Sequence, residues 1–272
     1  MYVWLVAGLA SFLIPAPRAP KIQRPVDPPV ASMPLRIAKP GRYDFAGKIF
    51  VMGKVPKRVV EYGTPSLQVM AMGVSVQNFA WRGSMESLHV GSEPFTPKGM
   101  RQRHSALRVT LENLFCDDVG EDCVSIQPRA QVTIRDSQFQ GQYLLTKGRS
   151  DGAGLDKLVQ IDGAKVTMEH CDFYNGVRAV RGKANSVIAL RGCRFVGCET
   201  AITGDGDFNP RASNPYDNGK AGLCHIVAED CTFWDCDAVA KAYPNSTIEL
   251  VRCKIYRTRQ WDSRGGGKVI RR

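Results

Sequence analysis

Histidine is scarce in this chain. There are four among 272 residues, and none of the nine cysteines stands in a Cys-x-x-Cys spacing beside a histidine pair. A cysteine–histidine zinc site is therefore not written in the sequence. Long apolar runs are missing too: the longest, residues 2–14, has thirteen residues, too few to span a bilayer as a helix. No long segment keeps a 3.6-residue apolar period, so a coiled coil is excluded. Apolar residues at 43% and charged residues at 23% exclude long disorder and a collagen-like repeat. What remains is a globular chain long enough for one elongated domain or two small ones.

Acidic residues are fewer than basic ones, 26 against 37, for a net charge of +11. The excess sits at the two ends. Residues 15–60 carry ten basic and two acidic side chains, residues 251–272 carry eight and one, and residues 61–250 sum to −4. No aromatic-plus-basic stacking pattern accompanies those ends, so they read as solvated segments rather than a nucleic-acid footprint. Residues 2–14 suit the apolar region of a secretory signal, although no Lys or Arg precedes them; a retained membrane anchor or a buried segment are the rival readings. Segments follow from this: 1–20 as signal or anchor, 21–38 as a Pro-rich linker, 39–258 as the main domain and 259–272 as a basic tail. Export makes an extracellular monomer the expectation.

A short phrase recurs along the main domain. It reads VTIRDSQF at 132–139, VTMEHCDF at 166–173, IALRGCRF at 188–195, IVAEDCTF at 226–233 and IELVRCKI at 248–255. Earlier copies are VSVQNFAW at 74–81 and VTLENLFC at 109–116. Apolar residues at the first and third places give a period of two, which argues strand. Cys171 to Cys193 is 22 residues and Cys231 to Cys253 is again 22; Cys193 to Cys231 is 22 plus a 16-residue insertion near 204–219. A repeat of that length with loops inserted at one place indicates an all-β right-handed parallel β-helix of about seven coils, capped by residues 35–60. A β-sandwich would not explain the 22-residue register. Ser137, Cys171, Cys193, Cys231 and Cys253 should stack as an internal ladder, with Cys198 and Cys236 as a shorter one. These thiols read first as small buried hydrophobes and second as disulfides. The odd count leaves one cysteine unpaired in any case.

The densest acidic cluster is CDDVGEDC at 116–123. Gly120 permits a bend that brings Glu121 and Asp122 to one side, where two carboxylates repel unless a cation lies between them. Hard oxygen donors suit Ca²⁺. On its own the cluster also reads as a solvated acidic turn.

Together with DGAGLDKLVQIDG at 151–163 and the arginines of VRAVR (Arg178 and Arg181), the phrase DDVGEDCVSI at 117–126 resembles the pectate lyases of polysaccharide lyase family three. RYDFAGKIF (42–50), VEYGTPSL (60–67) and SMESLH (84–89) are similar to that family's N-terminal half, so the resemblance runs from about 40 to 205. It implies a right-handed parallel β-helix that cleaves polygalacturonate by β-elimination with Ca²⁺. It also implies roles: Glu86, Glu121 and Asp122 as calcium ligands, and Lys157 as the base, with Asp156 beside it. Arg181 becomes the second basic group or carboxylate binder, Arg178 a cation where the family has lysine, and Glu61 a glutamate near the cleft. Gln127 and Gln160 fall among substrate-binding positions. Three departures accompany this. Gln127 replaces a lysine, GKAN replaces a Cys-x-x-Cys after the arginine, and Gln160-Ile161-Asp162 replaces Gln-His-Asn.

Two other classes of function fit the same residues. The loss of a groove cation at Gln127 suits a non-catalytic β-helix that binds acidic glycan or serves as a surface module. Asp205 and Asp207 in GDGD could serve a paired-carboxylate hydrolase, although that spacing also makes an ordinary Gly-Asp turn.

Overall fold

The computed structural model describes residues 30–31, 35–45, 49–51, 67–82, 86–91, 107–117, 122–141, 157–183, 185–206, 222–262 and 266–272. Every regular element among them is a strand, and the strands form three parallel sheets of nine. The chain visits the sheets in rotation. Lys165–Glu169 lies in the third sheet, Asp172–Tyr174 in the first and Arg178–Gly182 in the second, before Val187–Arg191 returns to the third. Val166 pairs with Ile188 and Phe173 with Phe195, so one circuit takes the 22 residues of the repeat. The result is an all-β parallel solenoid. Residues 2–14 and the insertions near 91–105, 142–155 and 204–219 lie wholly or mostly outside the described residues. Sheet pairing extends to Val30–Ala31 on one side and to Lys268–Arg271 on the other.

Alternation puts the first and third places of each phrase inside. Val166 and Met168 are buried, while Thr167 and Glu169 between and after them are not. The eighth place builds an aromatic stack: Phe139, Phe173, Phe195 and Phe233 are fully buried, with successive ring centroids 5.4, 4.8 and 4.9 Å apart. The sixth place carries the thiols. Arg194 donates its backbone N–H to the Cys171 carbonyl, Thr232 to Cys193 and Lys254 to Cys231, so these cysteines lie one above another. Each of the four thiols donates to the carbonyl two residues before it, which satisfies a weak donor within apolar surroundings. Burial also pushes the Cys224 thiol up to about 12, far from the range of a thiolate nucleophile.

The corners explain the fifth place. Asn78, Asn113, Asp136, His170, Gly192, Asp230 and Arg252 occupy it, and all seven have φ between 47° and 58°. In that left-handed region Cβ crowds the following carbonyl, a cost that glycine escapes and that Asn and Asp tolerate best. Asn113 adds a side-chain bond, donating Nδ2 to Asn78 Oδ1 at 2.6 Å across the stack. Asn113→Val therefore lowers stability by about 1–2 kcal/mol, whereas Asn113→Gly stays within roughly 1 kcal/mol of the native protein. Denaturant unfolding of both variants checks this; equal losses would mean that the side-chain bond, not the backbone, sets the cost.

Candidate functional site

The second sheet gathers the sequence-predicted residues. Its strands Glu86–Val90, Asp122–Ile126, Lys157–Ile161, Arg178–Gly182, Thr200–Gly204 and Ala238–Ala242 are consecutive neighbours. Leu88, Val124, Val159, Val180, Ile202 and Ala240 stack in the core and hold these strands in register. Two polar rows follow from that register. The first runs Glu86, Asp122, Lys157, Arg178, Thr200. The second runs Gln68, His89, Ser125, Gln160, Arg181, Thr203, Lys241. Residues more than a hundred positions apart in sequence thus lie within a few strand spacings of one another.

Lys157 meets Asp122 directly. Nζ lies 3.4 Å from Oδ1, and the residues are 7% and 1% exposed. This is a buried ion pair, for which desolvation is offset only by close contact and further hydrogen bonds. One strand on, Arg178 is half-buried, and burial first, then the neighbouring Arg181 guanidinium, lowers its pKa from the usual arginine range. Arg181 itself is held by Asp205, with Nη2 2.6 Å from Oδ2. Lys183 binds Asp162 at 3.0 Å, and Gln160 Nε2 donates to the same carboxylate at 3.4 Å. Four cations, Lys157, Arg178, Arg181 and Lys183, thus lie on two neighbouring strands or just beyond them, and carboxylates hold three of the four.

The acidic cluster is pinned from its flanks. Cys116 and Cys123 form a disulfide, seven residues apart, and Arg82 Nη2 lies 3.0 Å from Asp117 Oδ2. Cys116 lies in the first-sheet strand Phe115–Asp117 and Cys123 in the second-sheet strand Asp122–Ile126, and the sequence reading assigned no bridge to them. The signal was their placement at the two ends of CDDVGEDC. Seven other cysteines are free.

Of the remaining predicted residues, Glu61, Glu121, Asp156 and Asp207 lie outside the described residues, and for Glu86 only the backbone position is described. Gln127 follows the strand Asp122–Ile126 and donates Nε2 to Ser125 Oγ at 3.4 Å. Asp205 is engaged by Arg181. No group of three metal-ligating side chains occurs among the described residues. Asp122 and Glu86 are backbone register partners on neighbouring strands, roughly 4.8 Å apart, and the Asp122 carboxylate is a hard oxygen donor of the kind that matches a hard cation in chemistry.

Ser125, Thr203 and His89 escaped the sequence reading. Each interrupts two core residues, as in Val124-Ser125-Ile126 and Ile202-Thr203-Gly204, at the position that Gln160, Arg181 and Lys241 occupy in their own strands. That recurring apolar–polar–apolar triplet was the available signal. Gln160 Oε1, Thr203 Oγ1 and Arg181 Nε are buried with no hydrogen-bond partner among the described residues. Groups of that kind are costly, about 1–3 kcal/mol each, unless water or a ligand completes them. Searches of known protein families and of curated proteins find no match to this chain.

Proposed function

We propose that this chain is a calcium-dependent pectate lyase, secreted and monomeric. Its solenoid is read as a right-handed parallel β-helix. The substrate is α-1,4-linked polygalacturonate, cleaved by β-elimination. The observation that carries this reading is the convergence of Asp122, Lys157, Arg178, Gln160 and Arg181 on adjacent strands of one sheet. A lyase of uronic acids must hold a carboxylate, remove the neighbouring C5 proton and let the C4–O bond break.

Each demand has a residue. Arg181 and Arg178 supply guanidinium groups, whose planar fork matches a substrate carboxylate, and their charge favours the enediolate that forms as the proton leaves. Lys157 takes the C5 proton as a neutral amine, after its ammonium has left the Asp122 carboxylate and given its own proton to solvent. The electron pair of the C5–H bond becomes the C4–C5 double bond as the C4–O bond breaks, and the departing oxygen is protonated. Gln160 and Thr203 offer hydrogen-bonding atoms to sugar hydroxyls. Asp122 and Glu86, with Glu121, would hold calcium, which when bound neutralises the substrate carboxylate and so acidifies the C5 proton.

Ultraviolet absorbance of polygalacturonate incubated with the protein tests this, because elimination creates an unsaturated uronate that absorbs. The expected result is a rise with calcium that chelator removes. New reducing ends without absorbance would replace the lyase by a hydrolase. A second reading is a β-helix that binds acidic glycan without cleaving it. Gln127 favours it, since its amide turns to Ser125 where the resembled family places a cation. Binding with neither product would establish that reading instead.

A further inference from the structure

The third sheet presents a second polar surface, away from the strands just described. Val74–Gln77, Arg108–Glu112, Gln131–Arg135 and Lys165–Glu169 are neighbours in it. Their core positions, Val76, Leu111, Ile134 and Met168, are fully buried. The alternate positions stack in rows. Ser75, Thr110, Thr133 and Thr167 make one row, and Arg108, Gln131 and Lys165 make the next. Both rows line a depression of about 440 Å³ whose lining holds two cations and no carboxylate.

The charges here differ from those elsewhere on the sheet. On the far side of the threonines, Arg135 and Arg191 both reach Glu169, at 2.8 and 3.4 Å, so the cations there share a carboxylate. Arg108 and Lys165 are exposed, and no ion pair among the described residues engages either. They stand two strand steps apart, roughly 10 Å, with Gln131 between them and the hydroxyls of Thr110, Thr133 and Thr167 in the adjacent row. Such a surface offers cations at intervals and hydroxyl donors and acceptors in continuous register.

We propose that this depression binds an acidic polysaccharide chain laid across the strands, as a site separate from the second-sheet cluster. The ligand class rests on the function proposed above. An extended uronate polymer matches the surface, because its carboxylates meet Arg108 and Lys165 while its hydroxyls meet the threonine row. Nucleic acid matches it less well. No aromatic side chain lines the depression for base stacking, and two cations neutralise few phosphates.

The test is binding of labelled polygalacturonate oligomers to the full chain in chelator, followed by fluorescence anisotropy. The native protein binds. Arg108→Ala with Lys165→Ala weakens binding about tenfold or more, and Thr133→Val, which keeps the shape and removes a hydroxyl, weakens it by a smaller factor. Lys268→Ala, on the same sheet but outside the depression, retains native affinity. All these positions lie on the outer face of the sheet, so the variants fold. The proposal is overturned by absence of binding in chelator, by unchanged affinity of the double variant, by an equal loss in Lys268→Ala, or by equal competition from single-stranded DNA. The assay reads neither calcium nor elimination, so its failure leaves the lyase reading intact. Absence of elimination likewise leaves a positive result here standing.

Discussion

Lys157→Met abolishes the unsaturated product and destabilises the protein, on the order of 3 kcal/mol. The two effects have separate causes. The amine is the proposed base for the C5 proton, and methionine has no basic group. The same amine lies 3.4 Å from Asp122 in a setting where both residues are more than nine-tenths buried. Removing one partner leaves a carboxylate in poor solvent without its ammonium, which is where breaking a buried pair becomes expensive. Lys157→Arg separates the causes. It keeps a cation beside Asp122 and so most of the stability, yet a guanidinium gives up its proton too reluctantly to serve as base. Product absorbance and denaturant unfolding, measured on both variants, give the answer. An arginine variant that still forms product would remove Lys157 from the chemistry and leave it as a structural partner of Asp122.

Phe195→Ala is the second large effect, a loss of about 3–5 kcal/mol in unfolding free energy. Phe195 is fully buried between Phe173 and Phe233, with centroids 4.8 and 4.9 Å away and rings nearly parallel. Alanine removes a ring that no neighbour can replace, because the stack is fixed by strand register on both sides. Each coil of a solenoid touches only its neighbours, so a gap in mid-stack weakens two interfaces together. Phe195→Leu refills part of the volume and recovers part of the loss. A loss of less than 1 kcal/mol in the alanine variant would show that the coils relax into the gap and that the aromatic stack is not the main cohesion between them.

The legibility of this chain differs from one place of its repeat to the next. The first and third places were plain, since burial on one face of a strand forces alternation, and the phrases of 166–173 and 188–195 display it without ambiguity. The thiol ladder was plain for the same reason, with Cys171 and Cys193 one 22-residue circuit apart. The fifth place went unread although its residues, Asn, Asn, Asp, His, Gly, Asp and Arg, are mostly those that tolerate positive φ. Arg252 and His170 dilute the pattern, because a corner held by sheet pairing on both sides imposes the left-handed conformation even on side chains that disfavour it.

The site was legible as residue types and illegible as partnerships. Asp122, Lys157, Arg178 and Arg181 were picked out from motifs, yet nothing along the chain said that Asp122 and Lys157 touch, or that Asp205 holds Arg181. Those contacts join residues 35 and 24 positions apart, and each depends on how many residues each loop inserts before the next strand begins. The same holds for Cys116 and Cys123: seven residues of separation allowed a bridge, but the corner between two sheets made one. By itself, then, the sequence determined the strand period, the circuit length and the identity of the inward residues, because these follow from burial acting on near neighbours. The tertiary structure decided which charges pair, which thiols join and which polar residues share a surface. Those outcomes depend on the register between coils, and register is set by the whole stack at once.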